Sequence, residues 1–317
     1  MNSIIGETPF IKINYQYKDK LRSIYTKLEY YNLTGSIKDR IVEHIINKDK
    51  ATGKIKEGDL LIEATSGNTG ISLAAIGARL NHPVHIFIPN FVSAERIKLL
   101  KLYGAEVTLV SKQEGGYDAC IKLADELKEK TGGYRLDQFN KLENVTAHYE
   151  GTATEIVSKL NKIDGFLSGI GTGGTLMGCS LKFKEENENV KIGVIEPSTM
   201  IVLDKNIKGD HKIEGISDGF IPSIVDTSII DKIIVIDDND AVNMARKLSK
   251  ELGLGVGISS GANMIGSIIL EEEINGNICT IFADDNKKYL STELSNKIDN
   301  NEKFMSNQIE LINFEVL

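Results

Sequence analysis

DGFLSGIGTGGTLMGCSLKFKEEN, residues 164–187, is the stretch that decides the fold of this 317-residue chain. A short apolar run enters a glycine-rich turn, and a helical pattern follows directly. Strand-like runs recur along the chain as DLLIEA (59–64), PVHIFIP (83–89), AEVTLV (105–110), KIGVIEP (191–197) and ICTIFAD (278–284). Because helical patterns alternate with these runs, we expect an α/β fold with mostly parallel, twisted sheets flanked by helices. Functional groups are then expected at the carboxyl ends of the strands.

The composition limits the size and partners of the molecule. With 41% hydrophobic and 26% charged residues, the chain can bury a large core in two lobes. We place these lobes at residues 1–145 and 146–317, and leave open whether residues 1–35 pack on the second lobe. A net charge of -8 argues against nucleic acid as a partner. The polar tail after Lys297 is expected at the surface.

Cysteine use and the amino-terminal sequence indicate a reducing compartment. Cys120, Cys179 and Cys279 are far apart and lack the spacing of a disulfide framework or zinc site, so they are interpreted as buried thiols. No basic leader precedes an apolar run, and no stretch is long and apolar enough for a membrane span. A cytoplasmic protein without a metal or membrane partner is expected.

The glycine-rich turn at 169–175 aims several backbone amides and a helix start at one point. Such an arrangement is typical of an anion-binding site. Two alternatives remain open at this stage. The turn is also compatible with a dinucleotide site, in which Glu196 at the end of the next strand binds the ribose. Taken alone, it is also compatible with a tight strand-to-helix connection.

A lysine and a polar loop add independent signals. Lys38 follows a Gly-Ser turn in the first turn of a helical pattern, where the helix dipole lowers the pKa of an amine and favours a Schiff-base nucleophile. The loop TSGNTG (65–70) follows a strand and precedes a helix, which suits a carboxylate ligand. Ordinary roles exist for both, as a solvent-exposed lysine and as helix N-caps.

Five motifs in a fixed order give these signals a common meaning. They are SIKDR (36–40), TSGNTG (65–70), GTGGT (171–175), GI with GFIP (215–216 and 219–222) and GISSGA (257–262). Together they resemble the motif set of the cysteine synthase and cystathionine β-synthase family. The resemblance implies pyridoxal 5′-phosphate (PLP) as cofactor, the tryptophan-synthase-β-like fold of type II PLP enzymes, and a homodimer.

The resemblance also implies roles for residues at matching positions. Lys38 resembles the lysine that forms the internal aldimine and shuttles the α-proton, Asn68 the residue that hydrogen-bonds the PLP 3′-oxygen, and Ser259 the hydroxyl that meets the pyridine nitrogen. The residues similar to the phosphate cradle are Gly171, Thr172, Gly173, Gly174 and Thr175. Those similar to the clasp around the substrate carboxylate are Thr65, Ser66, Thr69 and Gln138.

Ser259 supports one type of reaction by its chemistry. A hydroxyl cannot stabilise a protonated pyridinium by charge, so the ring is a tempered electron sink. Loss of a β-substituent, leaving an α-aminoacrylate that a nucleophile attacks, is then favoured over transamination. The sequence therefore predicts β-replacement on a small L-amino acid, with sulfide or water as the second reactant.

The chain departs from the family at three places, of which Leu33 in place of a usual proline does not affect the chemistry. The tail motif is similar only from Tyr289 onwards, which leaves the surroundings of the ring nitrogen open. Ser217 and Asp218 stand where short synthases carry small uncharged residues. Asp218 either closes an Asp-Gly turn by bonding its own backbone, or it lies beside the substrate β-carbon as a base for water. In the second case an anion about 4 Å away, at an effective dielectric of about 20, disfavours hydrosulfide by about 4 kcal/mol.

Several functions therefore compete. The leading hypotheses are cysteine synthesis from O-acetylserine and conversion of L-cysteine and water to L-serine and hydrogen sulfide. An NAD-dependent dehydrogenase built on the glycine-rich turn leaves Lys38 and the Asn68 loop unexplained. A non-catalytic partner-binding relative of the same fold is the third class.

Overall fold

A computed structural model describes residues 3–296 and 301–317, and two sheets carry the fold in this part of the chain. The larger sheet has seven strands, and all neighbours pair in parallel except β1, which is antiparallel to both β2 and β11. In spatial order they are β11 (Glu310–Val316), β1 (Phe10–Tyr17), β2 (Lys20–Leu28), β10 (Ile278–Phe282), β7 (Gly165–Gly169), β8 (Lys191–Pro197) and β9 (Lys232–Ile236).

The smaller sheet is fully parallel. Its strands, in spatial order, are β5 (Glu106–Val110), β4 (Val84–Pro89), β3 (Leu61–Ala64) and β6 (Tyr134–Arg135). Every residue of β3 and β4 is buried. Burial on both faces explains why these strands are continuous apolar runs rather than alternating patterns.

Helices cover both sheets. They are α1 (Lys38–Ala51), α2 (Asn68–Arg79), α3 (Ala94–Leu102), α4 (Gly116–Thr131), α5 (Glu143–Ala147), α6 (Thr154–Val157), α7 (Gly174–Glu186), α8 (Asp238–Leu252) and α9 (Ile258–Ile274). A π-helical turn, His148–Ala153, joins α5 to α6. Short 3-10 turns are Glu29–Tyr31, Thr227–Ile229, Asn286–Tyr289 and Met305–Gln308.

The core of the larger sheet follows from strand alternation. On β7, Phe166 faces the layer that contains α7, whereas Leu167 faces the layer that contains α8 and α9. The long apolar helix α9 is buried along most of its length. A third cluster packs α1 and α2 against the smaller sheet.

The predicted α/β class with mostly parallel sheets flanked by helices is confirmed. Residues 10–28 form two strands of the larger sheet, whose other strands all come from residues after 145. The lobe boundary at 145 stays a prediction. The described part of the tail, residues 301–317, lies largely at the surface as expected, and its strand β11 forms an exposed edge strand on β1. Residues 297–300 lie outside the described part of the chain.

Two smaller expectations concern cysteines and membranes. All three cysteines are free and buried, as predicted. Among the residues that the structure describes, no helix has the length and apolar character needed to cross a bilayer.

The fold brings distant segments together at the carboxyl ends of β3, β7 and β10. Directly before α1, the amide of Ile37 donates to the carbonyl of Ala283 at 2.8 Å, and Ser36 forms a β-bridge with Asp284. The start of α1 is thereby fixed to the segment after β10.

Candidate active site

One cavity collects residues from all five sequence motifs, including Gly215 and Ile216 of the fourth. Its walls come from the start of α1, the start of α2, the turn after β7, the start of α9 and the segment after β10. The predicted residues that line it are Lys38, Asn68, Gly171, Thr172, Gly173, Thr175 and Ser259. Asp284, which the sequence analysis assigned no role, lines it as well.

Lys38 is the first residue of α1 and is half-buried. Burial lowers the pKa of its amine, and the neighbouring guanidinium of Arg96 acts in the same direction. The carboxylates of Asp284 and Asp218 oppose this shift. The helix dipole was expected to lower this pKa, whereas desolvation is its largest cause.

Asn68 is oriented by a carboxylate rather than by its own helix. Its Nδ2 donates to Asp284 Oδ2 at 2.8 Å, and Tyr289 Oη donates to the same oxygen at 2.7 Å. Arg96 Nη2 in turn donates to Tyr289 Oη at 2.9 Å. Because an amide nitrogen carries two hydrogens, Asn68 keeps a second donor for a ligand oxygen.

The glycine-rich turn has a shape that only glycine permits. A Cβ at Gly171 would lie 2.3 Å from the carbonyl oxygen of Gly215, and one at Gly174 would lie 1.8 Å from Asn144 Oδ1. Gly173 has φ +90°, in the left-handed region that favours glycine. The backbone amides at the start of α7 are therefore accessible to an anion.

Side chains behind the turn hold its two threonines. Asn144 Nδ2 donates to Thr172 Oγ1 at 2.9 Å. His148, in the π-helical turn, places Nε2 3.3 Å from Thr175 Oγ1. The cradle thus combines free amides with fixed hydroxyls, which fits the phosphate of PLP.

A smaller chamber adjoins the cavity beside Lys38. The four residues expected to hold the substrate carboxylate all line it: Thr65, Ser66, Thr69 and Gln138. Asp218 lines it as well. Thr69 Oγ1 donates to Gln138 Oε1 at 2.5 Å, and Gln138 Nε2 lies 3.3 Å from the carbonyl of Ala64. No side chain caps α2, since its N-cap is Gly67, so the N-cap interpretation of these hydroxyls does not hold.

The loop of residues 214–219 carries Asp218 into this chamber. Ser217 is buried with φ +54°. Its amide donates to the carbonyl of Ile170 at 2.7 Å, and its own carbonyl lies 3.1 Å from His211 Nε2. Glu214 forms an ion pair with Arg96 of α3. The backbone that leads into Asp218 is therefore fixed.

The Asp218 carboxylate itself is half-buried and receives no hydrogen bond from residues 3–296 or 301–317. Burial raises its pKa, while the positive charges of His211 and Lys38 oppose the rise. The turn interpretation required this carboxylate to bond its own backbone, and that bond is not found. Asp218 is instead directed into the chamber that contains Lys38.

Glu196 is not positioned as the dinucleotide hypothesis requires. Its Oε1 accepts hydrogen bonds from the amides of Val202 and Leu203 at 2.8 and 3.1 Å. The carboxylate thus binds its own chain after β8. Ser259, in contrast, is buried in the first turn of α9 and lines the cavity with Lys38.

Sequence reasoning missed four residues of the site: Arg96, Asn144, His148 and Asp284. Only Asp284 left a usable signal, because it lies two residues after the buried strand β10, where functional groups of parallel sheets collect. Arg96 and His148 lie on helical segments far from any motif, and their contacts depend on tertiary packing.

Comparisons with known proteins agree with this geometry. The family described as "Pyridoxal-phosphate dependent enzyme" matches residues 1–284. A cysteine synthase of Staphylococcus aureus is 40% identical over 298 residues, which cover 93% of this chain and 96% of that protein.

Solved structures extend the similarity to the fold. A hydrogen sulfide-producing enzyme of Fusobacterium nucleatum superposes with a TM-score of 0.94 at 43% identity, covering 99% of this chain and 97% of the other. An Asp-to-Asn mutant of that enzyme, in complex with an α-aminoacrylate intermediate, superposes with a TM-score of 0.95 at the same identity and coverage.

Proposed function

This chain belongs to the cysteine synthase family of pyridoxal-phosphate dependent enzymes, and we propose that it converts L-cysteine and water to L-serine and hydrogen sulfide. The observation that carries the proposal is the Asp218 carboxylate, which shares a chamber with Lys38 and has no protein hydrogen bond in the described chain. A free carboxylate beside the catalytic lysine is suited to activate water.

The chain's own residues divide the work of binding. Amides and hydroxyls of residues 171–175 bind the cofactor phosphate, Asn68 binds the 3′-oxygen and Ser259 meets the ring nitrogen. The substrate carboxylate binds to the hydroxyls of Thr65, Ser66 and Thr69 and to Gln138. When bound, PLP supplies an electron sink for the bonds at the substrate α-carbon.

Lys38 and Asp218 move the protons. The Nζ of Lys38 takes the α-proton as hydrosulfide leaves the β-carbon, and its lowered pKa favours the unprotonated amine that this step needs. A carboxylate oxygen of Asp218 then takes a proton from the water that adds to the β-carbon. Lys38 returns its proton to the α-carbon.

The same charge selects the nucleophile. At a separation of about 4 Å and an effective dielectric of about 20, repulsion between Asp218 and hydrosulfide amounts to about 4 kcal/mol. Neutral water is not repelled and gains a base. Hydration is thereby favoured over the return of sulfide.

Relatives support the proposal and its main alternative. The Fusobacterium nucleatum relative is described as hydrogen sulfide-producing, and its Asp-to-Asn mutant holds an α-aminoacrylate intermediate. The Staphylococcus aureus relative is a cysteine synthase. The alternative is therefore an ordinary O-acetylserine sulfhydrylase in which Asp218 has a structural role.

Product identification separates the two. The purified holoenzyme is given either L-cysteine alone or O-acetylserine with sulfide. We expect serine and sulfide from cysteine to form faster than cysteine forms from O-acetylserine and sulfide. A large excess of the second reaction, with only traces of serine in the first, would overturn the proposal.

We further propose that the enzyme acts as a cytoplasmic homodimer. The support is the family's usual assembly and the three free, buried thiols, which suit a reducing compartment. Sedimentation of the holoenzyme gives the mass that tests the dimer.

A further inference from the structure

A glutamate lies buried behind the substrate chamber. Glu63 is the third residue of β3, a strand whose residues are all buried, and its side chain is fully buried. The other residues of the strand are the apolar Leu61, Ile62 and Ala64. Burying a carboxylate costs free energy unless hydrogen bonds compensate for it, so the partners of Glu63 indicate what it does there.

The carboxylate joins two chain segments. Its Oε1 accepts from the amide of Ala64 at 3.0 Å, and its Oε2 accepts from the amide of Asp137 at 2.7 Å. Arg135 Nη2 lies 3.8 Å from Oε1, and the same guanidinium pairs with Asp125 of α4. Glu63 therefore holds the end of β3 against the chain that follows β6.

Both segments carry parts of the clasp expected around the substrate carboxylate. Ala64 directly precedes the loop 65–69, which bears the hydroxyls, and Asp137 directly precedes Gln138. Gln138 Nε2 lies 3.3 Å from the carbonyl oxygen of Ala64. Because an amide nitrogen carries two hydrogens, Gln138 keeps one for a substrate oxygen. The direction of that hydrogen depends on where the backbone places Gln138.

The backbone at Gln138 is anchored on both sides. Asp137 has φ +57°, in the left-handed region that favours glycine, and its amide is bound by Glu63. On the other side, Asn144 Nδ2 donates to the carbonyl of Gln138 at 2.8 Å. Of these two anchors, Glu63 also contacts Ala64 and so relates Gln138 to the hydroxyl loop.

We propose that Glu63 positions Gln138 for the α-carboxylate of the amino-acid substrate, by fixing Gln138 relative to the loop 65–69. The inference rests on the part of the proposed function that assigns Gln138 to the substrate carboxylate. Glu63 is not among the residues that line the chamber. It acts through Gln138 and touches no reacting atom, so it is a positioning residue.

The test uses L-alanine as a probe, which has the α-carboxylate and α-amine of the substrate but no group that can leave its β-carbon. Its dissociation constant for the holoenzyme is read from the absorbance of the bound cofactor. Burial raises the pKa of Glu63 to about 7, against the opposing effects of Arg135 and the two amides. The titration is therefore made well above this pH, where the wild-type side chain is a carboxylate.

Glu63→Met keeps the length of the side chain but removes the acceptors of both amides. Alanine should bind about tenfold or more weakly, as expected for loss of a hydrogen bond to a charged group. The KM for cysteine should rise, whereas sulfide release at saturating cysteine should stay near the wild-type rate, because Lys38 is unchanged. Glu63→Gln, whose one acceptor oxygen serves only one of the amides, should lose affinity by about threefold or more and replaces the Met variant if that does not fold.

Gln138→Ala shows whether the effect passes through Gln138. This substitution should weaken alanine binding by itself, and adding Glu63→Met should then cause little further loss, because the two sites act as a unit. Full additivity in the double variant would mean that Glu63 only supports the fold and would overturn the positioning role. Wild-type alanine affinity in Glu63→Met would overturn it as well.

Glu196→Met is the matched control. Glu196 is also a buried glutamate near a strand end that accepts from two backbone amides, but those amides follow β8 and Glu196 does not line the chamber. This variant should lose stability and keep wild-type alanine affinity. An equal loss of affinity in both Met variants would contradict a specific role of Glu63.

A second readout needs neither substrate nor cofactor. Amide hydrogen exchange of residues 136–140 in the cofactor-free protein should be faster in Glu63→Met, because the Asp137 amide has lost its acceptor, and unchanged in Glu196→Met. Wild-type exchange in Glu63→Met would contradict the anchor. Wild-type alanine affinity in Gln138→Ala, by contrast, would defeat the proposed assignment of Gln138 on which the inference rests.

Discussion

The cradle at residues 171–175 and the loop at residues 214–219 face the same cavity, but they are built in opposite ways. The cradle is closed by sterics: its glycines lie against Gly215, Val225 and Asn144 with no space for a Cβ. The loop instead contains a buried serine with positive φ and a carboxylate without a protein partner in the described chain.

The difference separates binding from chemistry. A group that stays in place through every turnover is held by amides in a rigid, paired frame. A group that accepts and releases protons needs an unpaired atom that faces an open chamber, as at Asp218. Unpaired polar groups at fixed positions are therefore informative about function.

The largest expected effect on cofactor binding follows from filling the cradle. In Gly173→Ala the new Cβ would lie 2.2 Å from Val225 Cγ2 at a φ of +90°. Backbone strain of about 1–2 kcal/mol adds to the clash, so PLP affinity should fall by about tenfold or more. Titration of the apoprotein with PLP, followed by absorbance, measures this.

Two controls separate the cradle from general damage. Gly53→Ala has a similar φ of +74° but no atom within 4 Å of the new Cβ, so it should lose stability without losing cofactor affinity. Glu196→Gln should bind PLP almost as the wild type does. A strong loss of cofactor in the Glu196 variant would revive a dinucleotide-like role for that residue.

A smaller effect is expected from pH and concerns the loop alone. Burial raises the pKa of Asp218, and the base is active only as the carboxylate. Serine formation should therefore decline as pH falls through this raised pKa, at a higher pH than for an exposed aspartate. The decline should disappear from the residual rate of Asp218→Asn. The same acid limb in the variant would assign it to another group.

The cradle and the lysine were predictable because their determinants are local. A strand, a glycine-rich turn and a helix start follow one another within residues 164–187, and Lys38 begins α1 as its spacing indicates. The alternation of strand-like and helical patterns along the chain likewise predicted the parallel strands of both sheets.

The remainder depended on distant contacts. Asn68 is oriented by Asp284, 216 positions away, and Arg96 reaches Tyr289 across 193 positions. The edge formed by β11 on β1 likewise joins the two ends of the chain. No local pattern specifies such pairings. The cause of the lowered Lys38 pKa was misjudged for the same reason, since burial appears only in the folded chain.

The most direct test of the account is the separation of sulfide release from serine formation in Asp218→Asn. Mixed with cysteine, this variant should release about one equivalent of sulfide per active site at the wild-type rate, because that step uses Lys38. Serine should then form more slowly by a factor on the order of 10²–10⁴, as expected for loss of a general base.

Asp210→Asn is the matched control and should behave as the wild type, because Asp210 lines a cleft together with Asp218 but forms only an exposed ion pair with Lys112. If Asp218→Asn instead forms serine at the wild-type rate, Asp218 does not activate water. Together with a wild-type preference for O-acetylserine and sulfide, that result would make the protein an ordinary cysteine synthase.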